Sequence, residues 1–339
     1  MTIILPMLAA VATGEWTAPT IPAEAEIWIP EETDTFVEGL LELLGQVIPK
    51  IQPAMTEAAG ICAGILAIAL LVSLVSNLHG PSGEAADLAG TVSIGLLLFR
   101  ATGSMVTLGT ETLNNISEYG KLLLPVMAAT MASSGGGTGS AALYLGTVFF
   151  DSILSSAATA LLIPMVYVFL ALSVANSALG QDMLKQMKDL VKWLTTWTLK
   201  IILYIFTGYM SITGVVSGSA DAAALKATKL TISGMVPVVG SILSDASEAV
   251  LVGADLVRSA AGIYGLLAVI ALWIGPFVRI GVQYLMLKVT AGICGIFTTK
   301  NISCLIGDFT TVMGFLLAIT AAMCVIFIIS TICFMKGIG

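Results

Sequence analysis

Side chains that could do chemistry are few in this chain, and their spacing argues against a catalytic site. The one histidine, His79, lies in a turn-forming Gly-Pro sequence. A Ser-His-Asp triad or a zinc site would need it beside acidic residues, and no H-E-x-x-H motif occurs. Ile306-Gly307-Asp308 lacks the first glycine of the G-x-G-D motif of intramembrane aspartyl proteases, because Leu305 occupies that position. The sequence therefore predicts neither an enzyme nor a metal or cofactor site.

A run of glycines separates two short apolar pieces near residue 136. The run contains Gly135, Gly136, Gly137 and Gly139, and neither flanking piece is long enough to cross a bilayer. No Gly-Lys-Ser/Thr sequence follows, so the run is not a phosphate-binding loop. The pattern favours a re-entrant hairpin over residues 122–150, or one broken helix, in which the glycines form a constriction. A flexible linker explains the same composition, and both interpretations stay open.

Two arginines, Arg100 and Arg279, fall inside apolar segments. A charge at that position is costly unless it has a partner or reaches the membrane interface. We expect at least one of the two to pair with an acidic or carbonyl group inside the helix bundle. Asp151 and Glu111 are the candidate partners.

The composition places these residues on helices in a membrane. Of 339 residues, 57% are hydrophobic and 10% charged, and the mean hydropathy is +1.00, whereas about a quarter of the residues of soluble domains are charged. We predict an all-α, polytopic integral membrane bundle with about six spans and no nucleic-acid binding. The spans are expected at residues 61–78, 88–108, 157–179, 193–216, 261–287 and 310–335.

The N-terminal region is acidic. Residues 1–14 are predicted to be a signal peptide, because Ala10-Val11-Ala12 resembles a cleavage site, although no basic residue precedes it; a structural first helix is the alternative. Residues 15–57 hold nine acidic residues and one lysine, and we expect this segment to be extracytoplasmic. Within it, residues 36–51 should form a short interfacial helix that ends at Pro49 and Pro53.

Lysine positions set the expected orientation. If the N-terminal segment lies outside and residues 122–150 do not cross, then Lys185, Lys188 and Lys192 lie inside, as the positive-inside rule requires. Residues 58–216 then form the first half of the membrane bundle, 217–260 lie outside, and 261–339 hold the last spans. A full crossing by residues 122–150 would invert everything after it.

Residues 217–260 carry too many charges for a span and contain an amphipathic helical pattern. Asp245, Glu248, Asp255 and Arg258 share one face of this predicted interfacial helix. The face is either solvated or a docking surface for a partner.

The chain resembles the stage III sporulation protein AE family of endospore-forming bacteria. The resemblance rests on Ile232–Ala246 (ISGMVPVVGSILSDA), the Gly262–Pro276 span and the tail that begins near Lys288. It implies a multi-pass component, in the mother-cell membrane, of the secretion-like channel between mother cell and forespore, needed for late forespore gene expression. The implied partners are other membrane proteins of the same operon and a forespore-side protein, and homo-oligomerisation is left open. The alternatives are a stand-alone secondary transporter, against which the lack of an internal repeat counts, and a scaffold without a pore.

Overall fold

Long helices make up the part of the chain that the computed structural model describes, which is residues 36–76, 81–133, 137–179, 182–212 and 260–338. The helices are α1 (Phe36–Ser76), α2 (Pro81–Ser133), α3 (Gly137–Ala157), α4 (Ile163–Leu179), α5 (Asp182–Ile212), α6 (Ala260–Phe297) and α7 (Lys300–Ile338). A π-helical turn, Ala158–Leu162, joins α3 to α4, so these two form one continuous rod. No strand occurs within these ranges, which confirms the all-α prediction.

Six segments of the described chain are long and apolar enough to cross a membrane, which confirms the expected number of spans. They are Glu38–Val75, Ala85–Ala128, Tyr144–Leu179, Met183–Tyr209, Gly265–Phe297 and Lys300–Cys333. The segment on α5 is the least apolar, with a mean hydropathy of 1.2 over its best window, and the segment on α7 is the most apolar, with 2.8.

Several helices are much longer than the sequence pattern indicated. α2 has 53 residues, or about 80 Å at 1.5 Å per residue, whereas the hydrocarbon core of a bilayer is about 30 Å thick. The polar residues 111–121, expected to end a span, lie within α2. The helix continues because Leu113, Ile116 and Tyr119 recur at helical spacing and are buried, so the charged residues of this stretch lie on its outer face.

The prediction that a helix ends at Pro49 and Pro53 was wrong, because α1 runs through both prolines. Leu43 before them and Ala58 after them are fully buried, so both halves of α1 are held against the bundle. The Thr56 hydroxyl also donates to the carbonyl oxygens of Gln52 (3.1 Å) and Pro53 (2.8 Å). Packing on both sides of the prolines offsets the backbone hydrogen bonds that proline cannot make.

Two apolar cores lie one above the other along the bundle. The lower core is built around Ile65, Leu98, Phe169 and Phe309, among others. The upper core includes Leu113, Ile116, Phe206 and Phe327. In the upper core Gly120 faces the ring of Phe327, and a methyl group at residue 120 would collide with that ring. We call the two halves of the bundle the lower and upper layers.

Helices that follow one another in the chain run antiparallel, with α3 and α4 counted as one rod, so the connections alternate between two ends. Helices α1, α4 and α6 end at the lower end, and helices α2, α5 and α7 begin there. There the Ser73 hydroxyl donates to the Phe297 carbonyl oxygen at 2.7 Å, and the Thr299 hydroxyl donates to Asp87 at 3.0 Å. Ile212 and Ala260, which flank residues 213–259, both lie at the upper end.

Helix α7 is the centre of the bundle and α5 is at its edge. In the apolar window of α7, 83% of the residues are buried, against 22% for α5. α7 packs against α2, α3, α4 and α6, and less extensively against α5. A charge within the apolar part of α7, such as that of Asp308, therefore lies inside the protein.

Candidate functional site

An ion pair joins α5 to α7 in the lower layer. The Lys188 ammonium donates to Asp308 Oδ2 at 2.7 Å, and the two side chains are only 10% and 15% exposed. Lys188 lies on the buried face of α5, and Asp308 lies two turns into the central helix. Ionised side chains at membrane depth usually face the bundle interior and pair, and they mark sites of function or assembly. This pair is the principal candidate site.

Sequence reasoning missed this pair. The sequence groups Lys188 with Lys185 and Lys192 on the inner side, and it shows Asp308 only as the end of Ile306-Gly307-Asp308, just before the expected span 310–335. One signal was available, because Asp308 is the single acidic residue of Lys300–Cys333, the most apolar segment. An isolated carboxylate on such a helix requires a partner, but the sequence does not say which lysine supplies it.

The two predicted intramembrane arginines have different surroundings. Arg279 Nη2 donates to Glu57 Oε2 at 2.9 Å, which joins α6 to α1, and both side chains are 49% exposed. Arg279 thus has an acidic partner, but the candidates Asp151 and Glu111 were wrong and the pair is not buried. Arg100 is exposed and has no ion pair within the part of the chain that the structure describes.

Asp151 lies instead in a buried polar cluster of the upper layer. Its Oδ2 accepts a hydrogen bond from the Ser117 hydroxyl at 2.9 Å, while its Oδ1 is buried and has no hydrogen-bond partner. One turn away on α3, the Thr147 hydroxyl donates to Ser330 Oγ on α7 at 2.8 Å. These bonds fix α3 against α2 and α7 at one register. A carboxylate with one unsatisfied buried oxygen is the least favourable part of this arrangement.

Most of the other predicted site residues lie outside the described ranges. Asp245, Glu248, Asp255 and Arg258 belong to residues 213–259, and Gly135 and Gly136 belong to residues 134–136.

Gly137 and Gly139 form the first turn of α3. The two arms of the predicted hairpin are therefore the upper ends of α2 and α3, and not separate short helices. Re-entrance and a constriction at the glycines stay predictions. Within the described ranges, no group of three or more His, Cys, Asp or Glu side chains is placed to hold a metal ion.

Comparisons with known proteins agree with one another. The family model described as "Stage III sporulation protein AE" matches residues 33–338, which include every helix of the bundle. The curated "Stage III sporulation protein AE" of Bacillus subtilis (strain 168) is 23% identical over 188 residues, which are 56% of this chain. The matched region spans 47% of that relative's length. No solved structure matches the chain.

Proposed function

Because the chain belongs to the stage III sporulation protein AE family, we propose that it is a membrane component of the sporulation channel complex that links mother cell and forespore. It acts without catalysis, by assembling with other membrane proteins and lining part of a conduit. The observation that carries this proposal is the extent of the family match, which covers the whole bundle from α1 to α7. The relationship therefore concerns the complete set of spans and not one shared helix.

The proposed location is the mother-cell membrane that faces the forespore, with the upper end of the bundle outside. Lysine positions support this orientation. Lys185 and Lys300 lie near the lower end of the bundle, and lysines and arginines concentrate on the cytoplasmic side of membrane proteins. Both boundaries of residues 213–259 lie at the opposite end, so the predicted amphipathic helix would be extracytoplasmic.

Purification from sporulating cells tests the proposal. A tagged chain that replaces the native copy should recover other membrane proteins encoded beside it, and deleting the gene should abolish late forespore-specific transcription. A deletion strain with normal late forespore transcription would refute the role. Recovery of the chain alone from gently solubilised membranes would refute membership of a complex.

A stand-alone secondary transporter is the second candidate, and the Lys188–Asp308 pair favours it, since buried ionised pairs occur on ion and proton pathways. The two functions differ in what the purified chain does by itself. A transporter should move a small solute across the membrane of a vesicle that contains no other protein. A channel component should be inactive there and should regain function only with its partners.

The charged face of residues 217–260 offers a further test. If Asp245 and Glu248 belong to a docking surface, Asp245→Lys with Glu248→Lys should leave the amount of membrane-inserted chain unchanged but remove a partner from the purified complex. If the face is only solvated, the double variant should recover every partner.

A further inference from the structure

The outer surface of the lower layer is mainly apolar, as expected of a surface that faces acyl chains. Helices α1, α2 and α6 expose large apolar side chains there, with exposed fractions from 37% to 85%. These residues are Leu70, Leu71, Leu74, Leu88, Val92, Leu96, Leu285, Val289, Ile293 and Ile296. We infer that the lower layer is the part of the bundle that crosses the hydrocarbon core.

Charged residues mark the other boundary of this layer. Glu57, Arg100 and Arg279 each lie about 28 Å along their helices from the lower end, counted at 1.5 Å per residue. That distance is close to the roughly 30 Å thickness of the hydrocarbon core. Their exposed or half-exposed side chains would therefore lie at the level of the lipid headgroups, where a charge is tolerated.

Helix α5 interrupts the apolar belt with a polar strip. The strip consists of Lys185, Asp189 and Lys192, which are exposed and share one face because they are spaced by four and three residues. Lys192 lies about 15 Å from the start of α5, near the middle of the layer. The opposite face of the same helix exposes Leu190 and Leu194, which suit lipid. α5 thus presents one face for lipid and one that lipid would not accept.

No ion-pair partner accompanies the strip among the described residues. Lys288 on α6 is another exposed charge at a similar depth, and it is accommodated differently. Its ammonium bonds to the Tyr284 hydroxyl at 3.4 Å and lies 5.5 Å from the centre of that ring. The strip makes no such aromatic contact within the described ranges. Lys192 is within electrostatic reach of Asp308, but that carboxylate already pairs with Lys188, so we expect the carboxylate that neutralises the strip to come from outside the described bundle.

A groove lies beside the strip. α5 and α7 run in the same direction, and the Lys188–Asp308 pair fixes which of their faces meet. The strip of α5 lies on one side of this pair. On the same side, Cys304 of α7 is exposed, and Gly307 and Thr311 of α7 are half-buried. Small residues at such spacing let another helix approach closely in a membrane. The groove therefore has a small-residue floor and a positively charged wall.

We propose that this α5–α7 groove binds a transmembrane helix of another membrane protein, and that the helix carries a carboxylate at the depth of Lys192. The net positive charge of the strip selects an acidic partner. A second copy of the chain does not fit, because each strip carries two lysines against one carboxylate and two opposed strips would leave a net positive charge at the contact. This proposal rests on the proposed function, because it requires that the chain belongs to a membrane complex. It does not depend on the identity of that complex.

Site-specific photo-crosslinking in sporulating cells tests the proposal. A photoreactive amino acid at position 304, on the groove floor, should give an adduct with a different protein. The crosslinked peptide should lie in an apolar segment that contains Asp or Glu. The same group at position 194, on the lipid face of α5, should not give this adduct. Lys192→Glu should reduce the adduct at least about tenfold, since opposed like charges destabilise an interface.

Matched variants separate loss of the contact from loss of the fold. Lys121→Gln removes an exposed charge of the upper layer without placing a negative charge near the buried Asp151, and it should leave the adduct unchanged. If Lys192→Glu fails to accumulate, Lys192→Gln removes the charge without reversing it and should still weaken the adduct. Replacing the carboxylate of the partner by lysine should restore the adduct of Lys192→Glu.

Three results would overturn the proposal. They are an adduct of twice the mass of the chain, a partner peptide without a carboxylate, and reaction of Cys304 with a hydrophilic maleimide in the intact complex, which would indicate a water-lined groove. Different results refute the groove proposal and the proposed function. If partners co-purify but no adduct forms at position 304, only the groove proposal is wrong. If the adduct forms but late forespore transcription does not need the chain, only the proposed function is wrong.

Discussion

The Lys188–Asp308 pair gives the sharpest prediction about what holds the bundle together. Asp308→Leu leaves a buried ammonium without its counter-charge, and Lys188→Met leaves a buried carboxylate. Because the two side chains are only 10% and 15% exposed, each single change should lower the free energy of unfolding by about 3–5 kcal/mol. The double variant Lys188→Met/Asp308→Leu places two apolar groups of similar size together and should lie within about 2 kcal/mol of the unchanged chain.

A double-mutant cycle on the chain in mixed detergent micelles measures this difference. The predicted coupling energy between the two residues is at least about 3 kcal/mol. Arg279 and Glu57 provide a matched control, because their N–O distance is similar at 2.9 Å but both side chains are 49% exposed. Their cycle should give at most about 1 kcal/mol. Additive effects at Lys188 and Asp308, or equal coupling in the two cycles, would refute the view that burial makes the first pair strong.

Three further changes test packing and hydrogen bonding in the upper layer by the same unfolding measurement. Gly120→Ala should destabilise the chain by about 1–3 kcal/mol, because the added methyl group displaces the ring of Phe327. Gly103→Ala is the control: it has open space around it and should be neutral or stabilising by up to about 1 kcal/mol. Asp151→Asn should unfold no more easily than the unchanged chain, since it removes a buried charge with an unsatisfied oxygen; a loss above about 2 kcal/mol would show that the charge is needed. Thr147→Val should cost about 1–3 kcal/mol because it leaves Ser330 unpaired, and adding Ser330→Ala should restore most of that loss.

Composition and hydropathy were sufficient to predict the all-α architecture and the number of spans, because both depend on local sequence. Helix lengths were not predictable in the same way. The polar stretch 111–121 and Pro49 with Pro53 each carry a local signal for a helix end. The upper core overrides these signals, because it buries Ile116 on one side of α2 and Leu43 on one side of α1.

The partners of the charged residues could be predicted only in part. That Arg279 needs an acid follows from its own surroundings in the sequence. That the acid is Glu57 depends on α6 packing beside α1, a contact between residues that are 222 positions apart. The same applies to Lys188 and Asp308, which are 120 positions apart. No periodicity within one helix contains this information, because it arises from how the helices are arranged around α7.

The central position of α7 has a consequence for biosynthesis, since the ribosome makes α7 after every other described helix of the bundle. Until it emerges, the five rods made before it surround an unfilled space, and groups such as Thr147 and Lys188 still await Ser330 and Asp308. At about 5–20 residues per second, translating the 39 residues of α7 takes only seconds, but the bundle cannot close before that. Folding of the described bundle is therefore delayed until α7 has been made. A nascent chain arrested before Lys300 should be a target for membrane proteases, although it already contains five of the six spans.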